Sequence, residues 1–158
     1  MLSLVQGPMS LAAVPCTYWF DNSWYDLTNI ASFGSTNFWT SPANEQDTLV
    51  SFNFCQKLSA GSDLEPLACP DLDLYAIEHT KATSVRPLIQ CAPLSTSSLS
   101  SVHSTSFTGS VGDSEFEDNL AIKYTKDQCS LIVVLNCNDN EDNPEISPPY
   151  KLDESHPC

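Results

Sequence analysis

The segment Cys129-Ser-Leu-Ile-Val-Val-Leu-Asn-Cys137 constrains this chain more than any other. Five aliphatic residues stand in a row, several of them β-branched, and a cysteine closes each end. A run so short and apolar, followed at once by Asn-Asp-Asn-Glu-Asp-Asn-Pro, reads as a central strand of a sheet. If the run is extended, eight steps of about 3.3 Å separate Cys129 from Cys137 by roughly 26 Å, far beyond the ~7 Å Cα limit for a disulfide. The two cysteines must therefore find different partners. Period-two alternation places both sulfurs on one face, so the strand is expected to be tied at its two ends to two other parts of the chain.

The cysteines also bear on the compartment. Seven occur in 158 residues with no C-x-x-C, and the only histidine near one is His156 beside Cys158, which fits a disulfide framework better than a zinc site or a redox motif. An oxidising compartment is expected, either the secretory or endolysosomal lumen or the extracellular space. The length suits one domain with a core of its own. Twenty acidic residues against six basic ones give a net charge of −14, and Arg86 is the only arginine. Such a surface repels phosphate backbones and anionic headgroups, which argues against nucleic acid and against peripheral membrane binding. Residues 1–15 are apolar but lack a basic n-region, and read as a leader or a disordered N-terminal segment.

Several strands can be placed by alternation and punctuation. From Cys16 an aromatic-dense stretch is broken at Asp21-Asn22-Ser23, the pattern of two short strands around a turn. Thr48 to Cys55 alternates, with Val50, Phe52 and Phe54 on one face. A bond from Cys55 back to Cys16 would close a loop of about 40 residues, worth roughly 4 kcal/mol in the chain-entropy model. Residues 71–77 and 85–91 are expected as a pair of strands bracketed by Cys69 and Cys91, and residues 120–124 as another strand. Between residues 93 and 112 the chain is dominated by Ser and Thr; weak edge strands and a long loop are expected there rather than a linker. No helical periodicity runs over ten residues, so the domain is expected to be nearly all β.

Signatures of chemistry are sparse. His79, His103 and His156 are scattered, no H-E-x-x-H or G-x-S-x-G occurs, and Gly109-Ser-Val-Gly112 has neither the length nor the lysine of a phosphate loop. No enzymatic activity, cofactor or metal is expected. The acidic run Asp139, Glu141, Asp142 and Glu145 lacks the glycine and the closing glutamate of a calcium loop and reads as a solvated turn. Asn53-Phe-Cys55 is the rare N-x-C form of a glycosylation sequon.

Taken in order, Cys16 followed by Tyr25-Asp-Leu-Thr28, the strand ending Phe52-Asn-Phe-Cys55, the pair Cys69 and Cys91, Tyr124 before Cys129, and Leu131-Ile-Val-Val-Leu-Asn-Cys137 before an acidic loop to Cys158 resemble a mannose-6-phosphate receptor homology domain, the P-type lectin fold. The resemblance spans nearly all of residues 16–158. It implies a disulfide-bonded, flattened β-barrel or sandwich, and the bonds Cys16–Cys55, Cys69–Cys91 and Cys137–Cys158. It also implies that Cys129 is unpaired or has an external partner beyond the last residue, with the final strand of the fold missing and, in the family, a membrane span often following. Sugar-binding members hold mannose with a glutamine, an arginine, a glutamate and a tyrosine. Gln90 and Glu154 lie near the first and third of these, Ser130 stands where the arginine belongs, and no tyrosine follows Cys158. The expected function is a protein-interaction, sorting or assembly module with a degenerate sugar pocket, as the ectodomain of a membrane protein or part of a membrane complex. The alternative is a lectin domain for mannose-type glycans.

Overall fold

The computed structural model describes residues 16–31, 38–58, 73–80, 83–85, 89–136 and 146–150. These residues form an all-β protein with three antiparallel sheets. The first is the hairpin of β1 (Thr17–Phe20) and β2 (Ser23–Asp26). Asp21 and Asn22 both take positive φ, 43° and 59°, which gives a two-residue turn the twist that matches its strands. The helical turn α1 (Thr28–Ala31) follows. The second sheet has the order β3-β4-β5-β6, from β3 (Trp39–Thr40), β4 (Thr48–Phe52), β5 (Ala76–Thr80) and β6 (Cys91–Pro93). The third has the order β7-β8-β9, from β7 (Val102–Val111), β8 (Ser114–Lys126) and β9 (Cys129–Val134). Among the described residues this pairing leaves the sheets open and closes no barrel.

Among the described residues the strand expected at the centre of a sheet lies at an edge. There β9 pairs only with β8, and most of its own residues are half-buried. The centre is β8, thirteen residues long and flanked on both sides, and its Leu120, Ala121, Ile122 and Tyr124 are buried. The Ser- and Thr-rich stretch departs from expectation in the same direction: β7 is an edge strand, but a ten-residue one paired along β8 rather than a weak one within a loop. A bulge interrupts that pairing between Phe107 and Gly109, and opposite it Asp118 takes a φ of 46°. The Asp118 carboxylate accepts from the Ser106 hydroxyl at 3.2 Å and the Thr108 hydroxyl at 3.0 Å, so the kink in the long strand is held by side chains of its neighbour. The strands anticipated at 71–77 and 85–91 do pair, but as β5 and β6, each several residues further along.

One core joins the three sheets. Val50, Phe52 and Phe54 from β4 and just beyond it pack with Tyr75, Leu94, Val102, Leu120, Ile122 and Tyr124. Residues 53–55 are where the sheets meet. The Tyr18 hydroxyl of β1 donates to the Phe54 carbonyl, the Tyr124 hydroxyl of β8 donates to the Asn53 carbonyl at 3.1 Å, and the Asn53 amide donates to the Tyr75 carbonyl at 2.9 Å. Burial pushes the Tyr18 phenol up to about 12 and holds that of Tyr124 well above its ordinary value, as expected of hydroxyls used as donors away from water. Asn53 is fully buried and Cys55 is bonded to Cys16, so the rare sequon is closed to a glycan in the folded chain.

Cys16 and Cys55 form a disulfide with a Cα separation of 5.5 Å. Cys91 and Cys129 are also disulfide-bonded. Cys129 is thus not left unpaired. Cys69, Cys137 and Cys158 lie outside the described residues, as do Arg86, Glu154, the acidic run at 139–145 and the N-terminal residues 1–15.

Candidate functional site

A groove of about 1210 Å³ opens where the three sheets approach one another. Phe20, Leu27 and Ile30 line it from the first hairpin and α1, Val50 and Phe52 from β4, Leu120 from β8, and Leu131 and Val133 from β9. Residues 146–150 also line it, and the Tyr150 ring lies over Gly112, where a Cβ would meet the Tyr150 hydroxyl at 3.2 Å. Gly112 has a φ of 60° and begins the two-residue turn between β7 and β8, so both its backbone and its neighbour favour glycine.

The charge of the groove is one-sided. Glu78, Asp113 and Asp118 line it, together with the amides of Asn44, Asn119 and Gln128, and no lysine, arginine or histidine does so among the described residues. Ser130, at the position where the P-type lectin resemblance implies an arginine, is exposed and lines the groove. Gln90 does not line it. Gln90 sits exposed just before β6, with its amide donating to the Thr80 hydroxyl and its carbonyl accepting from the Thr80 amide, both at 3.0 Å. The structure therefore brings Ser130 to the groove and leaves Gln90 outside it.

Sequence reasoning missed one polar chain that runs from the surface into the second sheet. Thr40 on β3 is exposed and Ser51 on β4 and His79 on β5 are buried, with Thr40 Oγ1 to Ser51 Oγ at 2.8 Å and Ser51 Oγ to His79 Nε2 at 3.0 Å. Alternation alone puts Ser51 on the face opposite Val50 and Phe52 and gives no sign that it is buried. A serine beside a histidine is the start of a nucleophile and base, but Ser51 is fully buried and His79 Nδ1 has no hydrogen-bond partner to orient the ring. The arrangement is suited to satisfying buried hydroxyls. Burial holds His79 below its ordinary value of 6.5. The unfolded chain therefore takes up the proton first, and stability is lost as pH falls below that value. The urea midpoint should drop between about pH 7.5 and pH 5, and His79→Gln should flatten that drop; an unchanged slope in the variant would show that His79 is not the group responsible.

Among the described residues no group of three or more His, Cys, Asp or Glu could hold a metal ion, and no helix is long and apolar enough to cross a membrane. Comparison of the chain with protein-family models, with curated proteins and with solved structures finds no match.

Proposed function

We propose that this chain is a non-enzymatic, disulfide-bonded β domain of P-type lectin resemblance, working in the secretory or endolysosomal lumen or outside the cell, that holds a protein partner rather than a sugar. The observation that carries this reading is the charge of the groove, with three carboxylates, no cationic side chain among its described lining residues and Ser130 in place of an arginine. An anionic glycan or sugar phosphate meets repulsion in such a groove. A neutral mannose loses a charged donor whose hydrogen bonds are worth about 1.5–3 kcal/mol each, or roughly ten- to a hundredfold in affinity. Gln90, the remaining glutamine of the resemblance, faces solvent elsewhere. The domain then serves as the ectodomain of a sorting receptor or as part of a membrane assembly.

The second reading, a lectin domain for mannose-type glycans, draws on the amides of Asn44, Asn119 and Gln128, which offer the donors and acceptors that sugar hydroxyls use. A glycan array probed with the whole chain, run beside crosslinking in the compartment, separates the two. A silent array with a crosslinked partner insensitive to free mannose is the expected result. Mannose-dependent binding that Gln128→Ala abolishes would overturn it.

A further inference from the structure

The β1–β2 hairpin carries two tryptophans that the core does not use. Trp19 and Trp24 stand directly opposite each other, 49% and 68% exposed, with ring centroids 5.2 Å apart and planes at 64°. Alternation puts Thr17, Trp19, Trp24 and Asp26 on one face, while Tyr18 and Phe20 pack against the core. An edge-to-face contact uses at most one face of one ring, so a broad indole face stays open to solvent. Exposed apolar patches rimmed by polar groups mark surfaces that meet a partner.

The support is stiff. The turn at Asp21 and Asn22 sets the register, and the Cys16–Cys55 bond anchors the chain one residue before β1. Leu27 N donates to Cys16 O at 2.7 Å to close the hairpin's base, and the Ser104 hydroxyl of β7 donates to the Trp19 carbonyl at 2.8 Å. A partner docking here has little of the surface left to order.

Charge selects the occupant. The chain carries −14 overall, and Asp26 shares the face of the two indoles. The Thr28 hydroxyl and amide hold the Asp26 carboxyl below the usual carboxylate range, and both bonds end on Oδ1, leaving Oδ2 open. Open indole faces beside an ionised carboxylate recognise a cation with an apolar skirt, which among side chains means arginine first and lysine second. An anionic lipid surface is repelled by the same charge. We propose that the outward face of the β1–β2 hairpin docks a basic segment of a partner polypeptide, an arginine stacking on Trp24 while its guanidinium pairs with Asp26. This rests on the protein-binding reading above and names the chemistry of the partner.

The test uses a blocked peptide of alternating arginine and glycine, titrated into the whole chain and followed by tryptophan fluorescence and calorimetry, with the citrulline peptide as the neutral control. Trp24→Ala and Asp26→Asn should each weaken binding about three- to tenfold, whereas Glu45→Gln, which removes one exposed charge elsewhere, should leave it within about twofold. Circular dichroism checks the fold, and if Trp24→Ala fails to fold, Asp26→Asn decides. Equal weakening by Asp26→Asn and Glu45→Gln would mean diffuse charge attraction and would overturn the site, as would equal binding of the citrulline peptide. A mannose oligosaccharide that perturbs the tryptophans while the arginine peptide does not would overturn it too. Should a crosslinked partner be recovered from Trp24→Ala as well as from the native chain, protein binding stands and this surface is wrong. Should no partner be recovered at all, the functional reading fails, while the peptide titration still judges the surface.

Discussion

Replacing Cys16 and Cys55 together by alanine is expected to lower the unfolding free energy by about 4 kcal/mol, because the bond closes a loop with a sequence separation of 39 and so restricts the unfolded ensemble strongly. The native state loses less than the unfolded state gains. Cys16 is buried in the core shared by the sheets, and Cys55 follows the two carbonyls that accept the Tyr18 and Tyr124 hydroxyls, so those contacts hold much of the geometry without the bond. Urea unfolding of the double variant against the native chain measures the difference. A loss below about 1 kcal/mol would mean that the unfolded chain is already restrained there by residual structure.

Phe54→Ala carries the other large expected effect, a loss of about 3–5 kcal/mol. Phe54 is 2% exposed, and its ring meets that of Phe52 edge to face at 5.6 Å, which in turn meets Tyr124 at 6.0 Å. Truncation leaves a void where core side chains from the second and third sheets converge, and β strands at both sides limit how far it can collapse. Chemical denaturation of the variant gives the number, and a change under about 1.5 kcal/mol would show that the site repacks. Because Phe54 and Cys55 are adjacent, the combined variant should fall short of the sum of the two effects.

Much of the local structure was legible. The turn at Asp21 and Asn22 could be read because few residue types accept positive φ, and β4 because Val50, Phe52 and Phe54 alternate. The shared face of Trp19 and Trp24 was not legible, since a break read at Asp21-Asn22-Ser23 leaves the register open and the register sets which side chains share a face. Nor was their exposure, because exposure depends on what the rest of the chain covers.

The Ser- and Thr-rich stretch was the least legible. Its composition suggested low complexity, yet individual hydroxyls have separate tasks: Ser95 Oγ accepts from the amides of both Tyr75 and Ala76, at 2.7 and 3.0 Å, and Ser98 caps the 3₁₀ turn Leu99–Ser101. Hydroxyls that satisfy distant amides look the same in sequence as hydroxyls that face water. Gln90 and Ser130 make the same point for the candidate site. The P-type lectin resemblance set Gln90 near a sugar pocket, and just before β6 it stands exposed and outside the groove.

By itself the sequence determined the all-β class, the acidic surface and the hairpin turn at Asp21 and Asn22, because alternation, charge and permitted φ are properties of neighbouring residues. Only the tertiary structure decided that β8 rather than β9 lies at the centre of its sheet, that Ser130 but not Gln90 reaches the groove, and that two tryptophans stay in water. Those outcomes depend on which strands pair across long separations, and a strand with two apolar faces carries no local mark of which neighbours will cover them.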